Sequence, residues 1–216
     1  MIRYLLFDLD GTLTESGPGI TNGVRYALQR AGISCEDPAV LTQFIGPPLY
    51  LSFMKHFALD EDKARALVPV YKEYYNQTGI YENEPYPGIP DMLRELKARG
   101  FCLAVASAKP QDMVGIVIRH FHLEEYFDVL CGAADTGAPD TKKKSILAAM
   151  SFFGADKDEV LMIGDRKDDM DGAKECGIRG IAVSWGYAPE GELEETDALA
   201  IVSTPEELSR LLKRLL

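Results

Sequence analysis

The chain has 216 residues, is 46% hydrophobic and carries a formal net charge of −11. That length and apolar content suit one large globular domain with a smaller second one. The acidic excess argues against non-specific attraction to nucleic acid or anionic lipid, although it leaves anionic substrates possible where a metal and local lysines reverse the field inside a pocket.

No segment approaches the roughly 20 consecutive apolar residues needed to cross a bilayer, and the N-terminus lacks a basic stretch followed by an apolar signal core. The expectation is a soluble, cytoplasmic protein with no nucleic-acid or membrane partner, a monomer or a homodimer. Cys35, Cys102, Cys131 and Cys176 are scattered without C-x-x-C spacing, which predicts free thiols and no zinc or redox site. The three histidines, His56, His120 and His122, form no H-x-x-x-H ligand pair.

In chain order, the apolar run Tyr4-Leu5-Leu6-Phe7 reads as a buried strand that ends in Asp8-Leu9-Asp10-Gly11-Thr12. Side chains alternate along a strand, so Asp8 and Asp10 point the same way, and Gly11 lets the chain turn sharply. From Pro18 to Ala31, the residues Ile20, Val24, Ala27, Leu28 and Ala31 share a helical face, and Gly32 ends the helix. No convincing strand follows between Leu41 and about Tyr81, while Ala64, Leu67, Val68 and Tyr71 mark another helix. Tyr71, Tyr74 and Tyr75 are read as helix packing. The boundaries expected are a core of residues 1–14 and 86–216 and an all-helical insertion of residues 15–85.

Pro85-Tyr86-Pro87-Gly88 makes the return connection. A helix stripe at Ile89, Met92, Leu93 and Leu96 leads to a buried strand at Phe101–Ala106 and a helix from about Pro110 to Phe121. Further strands are read at Phe127–Cys131, Val160–Ile163 and Gly180–Trp185, with a helix at Ser145–Phe153. Short apolar strands alternating with helices predict an α/β fold: a doubly wound, Rossmann-like parallel sheet covered on both faces.

Ligands of such sheets bind beyond the carboxyl ends of the strands. There the sequence places Asp8 and Asp10, Ser107 at an expected helix start, and Gly164-Asp165-Arg166-Lys167-Asp168-Asp169, with Asp140-Thr141-Lys142-Lys143-Lys144 opening a helix nearby. This set suits phosphoryl transfer through an aspartyl-phosphate. A carboxylate approaching a phosphate dianion is repelled, so a divalent cation must bridge them and a lysine must neutralise further charge. Asp8 can supply the attacking oxygen and a metal ligand. Asp165, with a backbone carbonyl such as that of Asp10 and several waters, can complete an octahedral oxygen shell suited to Mg²⁺. The Ser107 hydroxyl and the backbone N–H groups at that helix start can hold phosphate oxygens. Asp10 can protonate the departing alcohol and then take a proton from water. Lys109 is left between pairing with phosphate and capping the helix; Arg166 and Lys167 are expected to be solvated.

These residues resemble the haloacid dehalogenase-like phosphatase superfamily, whose four motifs occur in order at Asp8 to Thr12, Ser107, Lys142, and Gly164, Asp165 and Asp169. Trp185-Gly186-Tyr187 and Phe44-Ile45-Gly46-Pro47-Pro48-Leu49 are similar to its phosphoglycolate phosphatase-like branch. The resemblance implies a Rossmann-like core with a small helical cap after the first motif. It also implies a Mg²⁺-dependent phosphomonoesterase acting on a small phosphorylated metabolite, 2-phosphoglycolate first, with a 5'-nucleotidase, a pyrophosphatase or a sugar phosphomutase as alternatives. Asp8 is implied as nucleophile, Asp10 as general acid/base, Ser107 as phosphate binder and Lys142 as the charge-neutralising lysine, ahead of Lys143. Asp8, Asp10 and Asp165 are the implied metal residues and Asp169 an outer carboxylate, with Asp168 its alternate. Thr12 ties the first loop together. An acid at position 10 favours a phosphatase over a dehalogenase. A receiver-like signalling domain is set aside, because receivers are about half this length and lack such an insertion.

Overall fold

A computed structural model describes residues 1–134 and 142–214. The chain falls into two compact units, one of Met1–Glu15 with Pro85–Leu216 and the other of Ser16–Glu84.

The larger unit is built on a six-stranded, all-parallel sheet. Its strands are β1 (Tyr4–Phe7), β2 (Cys102–Pro110), β3 (Val129–Ala133), β4 (Val160–Gly164), β5 (Arg179–Val183) and β6 (Ile201–Val202), in spatial order β3-β2-β1-β4-β5-β6. The middle strands are buried on both faces, with Leu5, Leu6, Phe7 and Leu161 to Ile163 inaccessible to solvent. This is why they read as continuous apolar runs rather than alternating ones. Phe7 registers with Val105 on one side and Ile163 on the other. The residues that follow Phe7, Val105 and Ile163 therefore emerge side by side at one sheet edge.

Five helices belong to this unit among the described residues: Ile89–Ala98, Gln111–His120, Lys142–Phe153, Lys167–Cys176 and Pro205–Leu212. In chain order they are α5 to α9, the first four helices lying in the smaller unit. Three elements of this unit are not named from sequence, α8, β6 and α9, and β6 forms one edge of the sheet. Strand β2 also runs further than expected, to Pro110, and α6 starts only at Gln111.

The smaller unit is wholly helical among its described residues: α1 (Gly17–Arg30), α2 (Pro38–Leu41), α3 (Leu49–Phe57) and α4 (Glu61–Tyr75), with two short 3₁₀ turns. Gly23 lets α1 approach α4, since a Cβ there would meet the Tyr71 ring at 2.7 Å. The Tyr71 and Tyr75 rings stack 5.2 Å apart and are buried, and the Tyr74 hydroxyl donates to Glu82 at 2.8 Å. These tyrosines pack helices. Phe44 is likewise buried, against Phe53 and Phe57. No described helix is long and apolar enough to cross a membrane.

Candidate active site

Three neighbouring strands, β2, β1 and β4, deliver the polar residues to one edge. Asp8 follows β1 directly, and its N–H donates to the carbonyl of Ile163 in β4 at 2.9 Å, so the ladder continues one residue into the loop. Asp165 follows β4, and Asp169 lies in the first turn of α8. Asp8, Asp165 and Asp169 are all buried, and each offers a carboxylate oxygen within 4.8 Å of the others.

Lys142, the first residue of α7, is buried among these acids. Its Nζ lies 2.7 Å from Asp8 Oδ1 and 2.8 Å from Asp169 Oδ1, and donates to the Ala106 carbonyl at 3.3 Å. Burial works to discharge this ammonium, but Asp169 and Asp8 outweigh it and raise its pKa above the ordinary lysine value. Lys143 points elsewhere, to Glu175 at 3.6 Å on the surface. Asp140 and Thr141 lie outside the described residues.

Asp165 is oriented from two sides. Thr12 Oγ1 donates to its Oδ1 at 3.1 Å and the Tyr187 N–H to its Oδ2 at 2.8 Å. Glycines make room for it: a Cβ at Gly11 or Gly186 would collide with its carboxylate, and Gly11 also needs its φ of +84°. Gly164 clears space for Asp169 in the same way. Burial, and then the charges of Asp169 and Asp8, raise the pKa of Asp165 well above the carboxylate range. Asp169 is raised too, by burial first, with Lys142 pulling against it.

Four acids, Asp8, Asp10, Asp165 and Asp169, face two lysines, Lys142 and Lys109. Fully ionised, the group is two positive charges short. The raised acids and the all-oxygen donor set both fit a hard divalent cation.

The second lysine is where the structure departs most from expectation. Lys109 is buried, and its Nζ lies 3.0 Å from both oxygens of Asp10. Lys109 thus neither caps a helix nor points to solvent. The Asp10 carboxylate belongs to this pair and not to the three-acid cluster, so any part of Asp10 in metal binding falls to its carbonyl. Ser107 is buried but lies inside β2, four residues before α6 begins, so the helix-start N–H groups expected beside it are not there. Its Oγ accepts from the Lys109 N–H at 3.3 Å. Strand alternation was the available signal: Ser107 and Lys109 are buried and Ala108 between them is exposed. Asp169, expected as an outer carboxylate with Asp168 its alternate, lies in the buried acid cluster and pairs with Lys142 at 2.8 Å, while Asp168 is exposed. Arg166 is not solvated either; it pairs with Glu192 at 2.8 Å.

The arrangement can hold a divalent cation beside a carboxylate at the end of a strand, with a fixed ammonium between two of the acids. The model for haloacid dehalogenase-like hydrolases matches residues 5–183, and the chain belongs to that family. A 5'-nucleotidase of Pseudomonas aeruginosa is 41% identical over 89% of this chain and 88% of its own length. The tyrosine-protein kinase PtkA of Mycobacterium tuberculosis is 32% identical over 97% of this chain and 72% of its own. A phosphoglycolate phosphatase of Aquifex aeolicus is 29% identical over 86% of each. Among solved structures, a predicted phosphatase from Clostridium acetobutylicum superposes with a TM-score of 0.93 at 38% identity, covering 99% of both chains. The protein is an enzyme, a haloacid dehalogenase-like hydrolase of the phosphatase kind.

Proposed function

We propose that this chain is a Mg²⁺-dependent phosphomonoesterase that works through a phosphoryl-aspartate at Asp8, with nucleoside 5'-monophosphates as its preferred substrate class. The observation that carries the mechanism is Lys142, held 2.7 Å from Asp8 and 2.8 Å from Asp169 beside Asp165. The 41% identity to a 5'-nucleotidase supports the substrate class ahead of phosphoglycolate, where the sequence motifs point first.

Asp8, Asp165 and the Asp10 carbonyl are the ligands proposed for the cation, which when bound screens the phosphate dianion from the carboxylate that must approach it. An Asp8 oxygen attacks phosphorus and the ester P–O bond breaks. Asp10, in its protonated form, gives its proton to the departing alkoxide oxygen. Lys142 balances the charge gathering between Asp8 and the phosphoryl oxygens, and the Ser107 hydroxyl donates to one of those oxygens. The Asp10 carboxylate then accepts a proton from a water that attacks phosphorus, releasing inorganic phosphate and restoring Asp8. In its ionised form the Asp10 carboxylate is held by Lys109 through both oxygens, which fixes its direction for the step in which it takes the proton from water.

The test is phosphate release with Mg²⁺ from nucleoside 5'-monophosphates, phosphoglycolate, pyrophosphate and sugar phosphates, with Asp8→Asn beside the parent. Release led by a nucleoside monophosphate, and lost with Asp8→Asn or a chelator, is expected. Release from none, or release that survives Asp8→Asn, overturns the reading. The relative named a tyrosine-protein kinase favours transfer to a tyrosine hydroxyl as a second reading. Nucleoside triphosphate with a tyrosine peptide therefore joins the panel.

A further inference from the structure

Arg166 sits between two members of the acid cluster in sequence, Asp165 and Asp169, and its backbone is locked to the latter. The Arg166 N–H donates to Asp169 Oδ2 at 3.0 Å, and the Asp169 N–H returns to the Arg166 carbonyl at 3.1 Å. A guanidinium one residue from Asp165 and three from Asp169 has an evident alternative partner in the buried acid cluster. A cation-binding site with its own arginine folded into it would be neutralised from within.

The side chain instead turns to Glu192, on the segment that follows β5. Arg166 Nε donates to Glu192 Oε1 at 2.8 Å and Nη2 to Oε2 at 3.2 Å. The same Oε1 accepts the Lys167 N–H at 2.9 Å. Both side chains are about four-fifths buried, with 20% and 18% of their surface exposed, so the pair is fork-to-fork and little screened. Burial alone would push the Glu192 carboxyl up, yet Arg166 and the Lys167 N–H hold it below its ordinary value. The segment is anchored at two further points of the site: Trp185 Nε1 donates to the Thr12 carbonyl at 3.0 Å, and the Tyr187 N–H to Asp165.

Resting on the cation reading above, we propose that Glu192 is a positioning residue for the divalent-cation site: it holds the Arg166 guanidinium away from Asp165 and Asp169, so that Asp165 stays available to the cation and Asp169 to Lys142. Glu192 accepts from Arg166 and the Lys167 N–H and not from any group of the acid cluster. It acts through Arg166. Removing its charge frees a buried guanidinium to compete for the cluster, whereas removing the guanidinium eliminates the competitor and leaves an extra negative charge nearby. The two substitutions break the same ion pair and have opposite consequences for the cation.

The test is calorimetric titration of the full chain with Mn²⁺, without substrate, for the parent, Glu192→Gln and Arg166→Gln, each first shown folded by thermal melting. Losses of outer-shell partners typically weaken metal binding by roughly 10–100-fold. Glu192→Gln is expected to weaken Mn²⁺ binding by about tenfold, and Arg166→Gln to leave it at the parent value or tighter. Equal weakening in both would mean that the pair only braces the fold, and would overturn the proposal, as would no change in Glu192→Gln. Should Glu192→Gln fail to fold, Arg166→Gln decides alone, because tenfold weaker binding there contradicts the proposal. A parent that binds no Mn²⁺ would instead overturn the cation reading itself.

Discussion

Replacing Lys142 with Met removes the one ammonium inside the three-acid cluster while keeping most of its apolar stem. Asp8 and Asp169 lose partners at 2.7 and 2.8 Å, and both are buried next to Asp165. Removing one partner of a buried ion pair costs about 3–5 kcal/mol. For a protein of this size each kcal/mol is worth roughly 2–4 °C, so the melting temperature in chelator should fall by roughly 6–20 °C. The loss should depend on pH. Asp165 and Asp169 already have raised pKa values in the parent, and losing Lys142, which pulls against the rise at Asp169, raises Asp169 further. An acid whose folded pKa is raised takes stability away as pH climbs above its unfolded value, so the deficit should be larger at about pH 8 than at about pH 5. Calorimetric melts at the two pH values, with Lys142→Arg as the charge-preserving control, measure this directly. An unchanged melting temperature, or an equal drop at both pH values, would refute the reasoning that Lys142 balances ionised acids.

Gly186→Ala should cost about 1–3 kcal/mol and roughly a hundredfold in turnover, because the new Cβ collides with the Asp165 carboxylate and the Gly11 carbonyl; turnover close to the parent's would show that Asp165 need not sit where it does. Mg²⁺ at about a hundred times its dissociation constant should stabilise the protein by about 2.7 kcal/mol. The gain per unit of added cation should be greater at about pH 8 than at about pH 5, because protons compete for Asp165 and Asp169; a melt insensitive to Mg²⁺ would contradict this. Glu95 joins α5 to α9 through Lys213 at 2.7 Å and the Ser209 hydroxyl at 2.6 Å and pairs with Arg99 at the end of its own helix at 3.0 Å; Lys213 first, then Ser209, hold its pKa down to about 2. Its contribution is present above the ordinary glutamate value of about 4.3 and fades as pH falls toward 2. Glu95→Gln should therefore lower the melting temperature at neutral pH and progressively less between about pH 4 and pH 2, which a pH series of melts would reveal.

The parallel sheet and the strand-end acids were legible because each reports on local chemistry: a fully buried strand shows as an unbroken apolar run, and acids at its end stand out. Lys142 was distinguishable from Lys143 by its helical spacing to Ile146 and Ala149, which share its buried face. Other features needed contacts that no local window contains. Lys109 before Pro110 reads as a helix start, and only the unexpected length of β2 shows that it alternates with Ser107 and reaches Asp10. Glu192 lies 26 residues from Arg166, in a loop whose composition signals nothing. Strand β6 is two residues long, too short for a period, although α9 after it carries a readable start: Thr204 Oγ1 accepts from the Glu207 N–H at 3.2 Å, with Pro205 at the first position.

The central claim is that phosphate passes through Asp8. Rapid acid quench of the enzyme during turnover, followed by mass mapping of its peptides, should find one phosphoryl group on the peptide carrying Asp8. The adduct should be absent from Asp8→Asn, and Asp10→Asn, which loses both the proton donor of the first step and the proton acceptor of the second, should slow both its formation and its hydrolysis. Steady phosphate release from the parent with no phosphoryl group on that peptide would contradict passage through Asp8.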